Sequence, residues 1–260
     1  MKILALGDIF GRPGRKLIAS KIDALKEEYQ ADFIIVNIEN ASGGRGVSET
    51  NAKELLSLKA VNIYTSGNHI WDKMEINNII QETDRLIRPA NYPDPCQGRG
   101  FSIIRHENKR IGVINLSGTV YLNQLENPFR TFDTIYENIR NQCDIICVDF
   151  HAEATSEKIA FGYYVDGRAQ IIFGTHTHVQ TADERILDGG SGYISDLGMC
   201  GPYDGVIGVS KEIIIKHFLT QRPNKFDVAE GRTQINGALF TLDDLSNKCL
   251  DIQRVYKVFD

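Results

Sequence analysis

The chain has 260 residues, with 29 Lys and Arg against 34 Asp and Glu and a net charge of −5. Although the length exceeds the common domain size, α/β chains of this length fold around one core. A single domain over 1–260, with a small cap insertion around 74–110, is the simplest organisation. The mildly acidic balance excludes the basic footprint that long nucleic acid requires, yet admits a small phosphorylated substrate drawn in by local cations.

Apolar β-prone runs alternate with segments of helical period, the pattern of a sheet covered by helices. Residues 3–6 predict the first strand. Residues 13–29 predict a helix with Pro13 near its start and Leu17, Ile18, Ile22 and Leu25 on one side. The nearly continuous apolar run 33–38 predicts a strand buried on both faces. Ser48 is placed to cap the next helix, with Asn51 where a glutamate would be ideal and Leu55, Leu56 and Leu58 inward. A third strand follows at 61–64.

Between 74 and 95 the pattern weakens, and Pro89, Pro93 and Pro95 cannot continue a helix or sit in a central strand. Residues 101–105 and 110–116 predict a hairpin around Glu107, Asn108 and Lys109. Further strands are predicted at 145–150 and 170–173, with a helix at about 154–163 between them. A helix at 211–219 and strands near 235–241 and 251–256 complete the chain. There is no internal repeat or low-complexity segment.

The cysteines, Cys96, Cys143, Cys147, Cys200 and Cys249, are odd in number and lack a disulfide-framework spacing, which implies a reducing compartment. Cys143 and Cys147 read as buried packing, since thiolate metal sites bring tighter pairs. Residues 1–6 are too short for a signal-peptide core, and no apolar run approaches the roughly 20 residues needed to span a bilayer. A cytoplasmic protein without membrane contact is expected, and its many apolar strands allow a homo-oligomer.

Polar clusters stand where the apolar runs end: Gly7-Asp8, Glu39-Asn40, Gly67-Asn68-His69, His151, and Gly174-Thr175-His176-Thr177-His178. Strand ends are where an open α/β sheet gathers its ligand-binding residues. Taken singly, Asp8 reads as a turn carboxylate, Asn68 as an Asx turn and His151 as a satisfied structural histidine. Glu39 is harder to dismiss, because a carboxylate ending a buried strand needs a cation or several donors. His176 and His178, two apart, would point to the same side of an extended segment and can reach neighbouring metal ions. Five strand ends all carrying oxygen or imidazole ligands predict a two-metal site, with Glu39 able to bridge.

Two divalent ions about 3.5–4 Å apart can hold a hydroxide between them and orient a phosphoryl group for in-line attack. Oxygen and imidazole ligands suit manganese or iron, and also zinc. One histidine is then needed outside the ligand set to protonate the leaving oxygen. Arg12, Arg15, Arg45 and the 85–105 region offer cations for phosphate or base contacts, although arginines are more often solvated surface residues.

The Gly7-Asp8, Gly67-Asn68-His69, His151 and 174–178 clusters resemble the calcineurin-like metallophosphoesterases over nearly the whole chain. Phe10 stands where that superfamily usually has a histidine, and Ile38-Glu39-Asn40 replaces its usual Gly-Asp-rich second motif. With the runs 149–158 and 175–184, these features resemble the bacterial YmdB family.

That resemblance implies two mixed β-sheets packed face to face between helices, a four-layer αββα fold. It implies phosphodiesterase activity toward small cyclic nucleotides, particularly 2′,3′-cyclic ones, with two metal ions, iron and/or manganese. By position, Asp8, Glu39 and His178 would hold one metal, and Glu39, Asn68, His151 and His176 the other. Asn40 would lie beside the first metal, and His69 would be the general acid. The alternatives are a phosphomonoesterase and a nucleotide-sensing or RNA-associated protein with little turnover. A Rossmann reading of Gly7, Gly11 and Gly14 fails on spacing, and Asp8 and Pro13 would crowd a pyrophosphate.

Overall fold

In the first strand, Ile3 and Ala5 enter one buried cluster while Leu4 and Leu6 enter another, so this strand is covered on both faces. The computed structural model describes residues 1–260. In chain order its elements are β1 (Lys2–Leu6), β2 (Asp8–Ile9), α1 (Gly11–Tyr29), β3 (Phe33–Asn37), α2 (Glu49–Leu56), β4 (Ile63–Thr65), α3 (Asn77–Ile80), β5 (Phe101–His106), β6 (Lys109–Ser117), α4 (Pro128–Ile139), β7 (Ile145–His151), α5 (Thr155–Val165), β8 (Ile171–Thr175), β9 (Arg185–Ile186), β10 (Gly192–Ile194), β11 (Met199–Pro202), α6 (Lys211–Thr220), β12 (Thr233–Leu242) and β13 (Cys249–Phe259).

One sheet has seven strands in the order β2-β11-β12-β1-β3-β4, with β13 also paired to β12; the other has six in the order β5-β6-β7-β8-β10-β9. Both are mixed. In the first, β1 runs parallel to β3 and antiparallel to β12. In the second, β6, β7 and β8 are parallel and β5 is antiparallel to β6.

Ile3, Ala5, Phe33 and Ile35 of the first sheet pack with Ile111, Val113, Ile145 and Ile171 of the second in one buried layer. The opposite face of the first sheet buries Leu4, Leu6 and Val36 against Leu17, Ile18 and Ile22 of α1 and Leu55 of α2. The outer face of the second buries Ile114, Leu116 and Val148 against Phe132 and Ile135 of α4 and Phe161 of α5. The four-layer αββα order implied by the resemblance is therefore present. Period-2 alternation sends each strand's side chains into two different layers.

Ser48 caps α2 as expected, its hydroxyl accepting from the Asn51 amide. Helix α4 escaped the sequence reading, although Asn127 accepts from the amides of Phe129 and Arg130 and Pro128 opens the first turn. Strands β2, β9, β10 and β11 span only two to four residues each, too few to display a period. The 101–117 hairpin forms the edge of the second sheet. Arginines of the 85–105 region staple loops. Arg85 donates to the carbonyls of Leu56, Leu58 and Val61, and Arg88 to those of Pro89, Cys96 and Gln97.

Candidate metal centre

The polar strand ends of both sheets meet at one edge of the sandwich. Asp8, Glu39, Asn40, His151 and His178 are buried, and His176 is largely so. Two groups of ligand-type atoms lie within 4.8 Å of one another: Asp8, Glu39 and His178, and Glu39, His151 and His176. Glu39 is common to both.

In the second group, His151 Nε2 lies 3.1 Å from Glu39 Oε2, 3.0 Å from Asn68 Oδ1 and 3.1 Å from His176 Nδ1. In the first, the Asn40 amide lies 2.8 Å from Glu39 Oε1 and 3.0 Å from His178 Nε2. All seven residues read as ligands or ligand neighbours thus come together.

Each imidazole is pinned at one nitrogen and turns the other toward the cluster. His151 Nδ1 is 2.8 Å from the Thr175 hydroxyl, which donates to Asp149 Oδ1 at 2.7 Å. His178 Nδ1 donates to the Ile207 carbonyl at 3.1 Å. His176 Nε2 is 3.0 Å from Glu153 Oε2. Partners of this kind fix the tautomer and ring orientation of metal-binding histidines.

The 176–178 segment is not extended as the sequence reading supposed. His176 has φ of 104° and His178 φ of 65°, conformations that side chains rarely adopt, and the two rings enter different groups. Asp196 holds this turn by accepting from the amides of Thr177 and Gly198. It is paired in turn with buried Lys158 at 2.6 Å.

Burial pushes the Asp8 carboxyl well above the usual carboxylate range. Burial acts the same way on Glu39, but the facing His151 charge and hydrogen bond outweigh it and hold Glu39 below that range. His151 is desolvated too, yet Glu39 and Asp8 raise it to about 9. Burial and the neighbouring His151 charge depress His176 to about 3. Burial also lowers His178.

The chemistry of this set fits divalent cations. Asp8 Oδ1 and Asn40 Oδ1 are buried without any hydrogen-bond partner, a costly state for oxygen atoms that a cation would relieve. At Gly67 a Cβ would lie 2.2 Å from His151 Nε2 and 2.3 Å from Glu39 Oε2, so only a bare backbone can pass so close to these two side chains.

His69 belongs to neither group. Its amide donates to Glu39 Oε2 at 3.1 Å, while its Nδ1 lies 2.8 Å from Asp72 Oδ2. The ring lines a cavity of about 580 Å³ together with Glu39, His176 and His178. Arg45, on the same cavity, bonds Asp72 through Nε at 2.5 Å. Arg15 is a scaffold residue, bonded to Glu54 and the Ala41 carbonyl.

Asp72, Thr175, Asp149, Asp196 and Lys158 were not assigned from the sequence. Asp149 and Thr175 lie inside the recognised runs and Asp72 stands three residues beyond His69, so proximity was the available signal. Phe10 packs edge-on against His178, with ring centres 5.4 Å apart. Its ring is clasped between Gly44 and Gly208, where any Cβ would collide with it.

Three kinds of comparison bear on this arrangement. A 2′,3′-cyclic-nucleotide 2′-phosphodiesterase of Bacillus subtilis is 45% identical over 255 residues, covering 98% of this chain and 96% of the relative. A crystal structure described as a novel phosphatase of Mycoplasma pneumoniae superposes with a TM-score of 0.91 at 37% identity, covering 99% of this chain and 93% of the other. A Thermus thermophilus protein described as hypothetical gives a TM-score of 0.92 at 32% identity, covering 99% of both chains. The model of the YmdB-like proteins matches residues 4–255, and the chain belongs to that family.

Proposed function

We propose that the protein is a metal-dependent phosphodiesterase of small cyclic nucleotides, of the 2′,3′-cyclic class. What supports this most is the convergence of three imidazoles, each pinned at one nitrogen, on a single buried carboxylate, Glu39. The activity named for the Bacillus relative points to the same substrate class.

Asp8, Glu39 and His178 would hold one ion, with Asn40 beside it, and Glu39, Asn68, His151 and His176 the other. Manganese or iron bound there would neutralise phosphoryl charge and acidify the attacking water. His69 serves as the general acid. Asp72 occupies its Nδ1, which leaves Nε2 to pass a proton to the departing ribose oxygen. Arg45 brings a guanidinium to the cavity, where a phosphate oxygen can accept a charge-assisted bond. No covalent enzyme intermediate is required.

No helix is long and apolar enough to cross a membrane, and all five cysteines are free. We place the enzyme in a reducing cytoplasm.

The test is metal content together with hydrolysis of 2′,3′-cyclic AMP under added manganese, for the wild type and Glu39→Gln. Near two metals per chain and turnover lost in the variant are expected. Two metals without turnover of any phosphoester would overturn the hydrolase reading.

A further inference from the structure

The cavity beside the metal ligands is chemically two-sided. Glu39, His69, His176 and His178 give it a polar part, and Phe10, Ile207, Val209, Ile214, Phe226 and Val228 an apolar one. All of these apolar residues but Phe10, whose ring packs against His178, come from the excursion between β11 and β12. The two legs of that excursion are tied together, Ser210 N donating to Asp227 O at 3.0 Å and Ala229 N to Gly208 O at 2.9 Å. Between the legs, α6 buries no residue, so core packing does not explain it.

Ile207 and Phe226 are 49% and 53% exposed within this concave surface. Exposed aliphatic and aromatic groups gathered in a concavity mark a ligand surface more often than ones scattered singly. Ile207 also has φ of 45°, a conformation strained for a β-branched residue. Its carbonyl is the acceptor that holds His178 Nδ1. The apolar wall is therefore fixed in position relative to a metal-ligand histidine by one hydrogen bond.

We infer that this wall, with Phe226 as its aromatic member, seats the heterocyclic base of the nucleotide and makes the enzyme select base-bearing cyclic phosphates over base-less ones. The inference rests on the proposed phosphodiesterase reading for where the phosphate goes. A cyclic nucleotide has one anionic end and one flat apolar end, and the cavity offers a matching surface to each. Stacking a base on an aromatic ring contributes about 1–3 kcal/mol, which corresponds to selectivity of about 5- to 150-fold.

The experiment compares manganese-loaded full-length wild type, Phe226→Ala and Leu219→Ala on 2′,3′-cyclic AMP and on methyl riboside 2,3-cyclic phosphate, which lacks the base. Leu219 is a control on the outer face of α6, 80% exposed. The ratio of the two kcat/KM values should fall about tenfold in Phe226→Ala and stay at the wild-type value in Leu219→Ala. An unchanged ratio in Phe226→Ala, or an equal fall in the control, overturns the base site.

A binding readout separates this inference from the activity. In Phe226→Trp, adenosine 3′-monophosphate should quench the new indole fluorescence, and ribose 5-phosphate should not. Base-dependent quenching without turnover of either substrate by the wild type would retain the base site and reject the hydrolase reading. Equal quenching by both probes, or none by either, would reject the base site.

Discussion

His151 Nδ1 lies 2.8 Å from the hydroxyl of Thr175, and through it the imidazole is tied to Asp149, buried in the sandwich. Asp149 takes further hydrogen bonds from Asn37 at 3.0 Å and Thr65 at 2.5 Å, so strands of both sheets share one carboxylate. The imidazole is thus oriented by the core itself. Thr175→Val removes the hydroxyl with little change of shape, and metal affinity should fall about 10- to 100-fold. Leaving Asp149 short of a donor should also cost about 1–3 kcal/mol of stability. Thr175→Ser should restore both. Manganese titration and chemical denaturation measure the two effects, and wild-type metal affinity in Thr175→Val would refute the orienting role.

His69→Ala should keep the metals and lower kcat about 10²–10⁴-fold, the usual range for a general acid. Asp72→Asn should give a smaller loss, because the ring remains and only its orientation and tautomer are relaxed. The Arg45 side chain, bonded to the same Asp72 oxygen, makes the dyad sensitive to that arginine as well. Metal analysis beside steady-state kinetics separates the cases. A rate equal to wild type in His69→Ala would assign the proton to another group.

Glu39 and His178 differ in how many ligand groups they serve. Since Glu39 belongs to both and His178 to one, Glu39→Gln should bind far less than one ion per chain, whereas His178→Ala should retain about one. Elemental analysis after equilibration with manganese reads the stoichiometry directly. Equal metal content in the two variants would remove the bridging role of Glu39.

The clustered side chains were legible in sequence because buried strands end abruptly in polar residues, and a carboxylate such as Glu39 has few reasons to stand there. The pins were not. Thr175 stands in the quoted 174–178 cluster but its hydroxyl carries no ligand signature of its own, and the Ile207 carbonyl belongs to the backbone, which carries no sequence signal. The alternation argument applied to His176 and His178 presupposed an extended chain, whereas both residues have positive φ; the two rings nonetheless enter the neighbouring groups that share Glu39. Strand burial was readable from β3 and β7, whose apolar runs announce it, whereas the order of the layers came from the family resemblance. Strands such as β9 depend on partners that only the folded sheet supplies.

Lys158 and Asp196 form an ion pair at 2.6 Å, exposed by only 3% and 1%. The lysine also donates to the Thr175 carbonyl at 2.9 Å, while the aspartate accepts from the Thr177 amide at 3.1 Å. One buried pair therefore ties α5 to the residues on either side of His176. Lys158→Met keeps the length of the side chain but strands a carboxylate in a desolvated place, which should cost about 3–5 kcal/mol. Adding Asp196→Asn removes the stranded charge and should recover a large part of that loss. Because Asn retains an oxygen for the Thr177 amide but turns its NH2 toward the Gly198 amide, metal binding should recover in part along with stability. Urea denaturation of the two single variants and the double variant gives the coupling. Additive effects would show that the two residues act independently and that the histidine turn is held by other contacts.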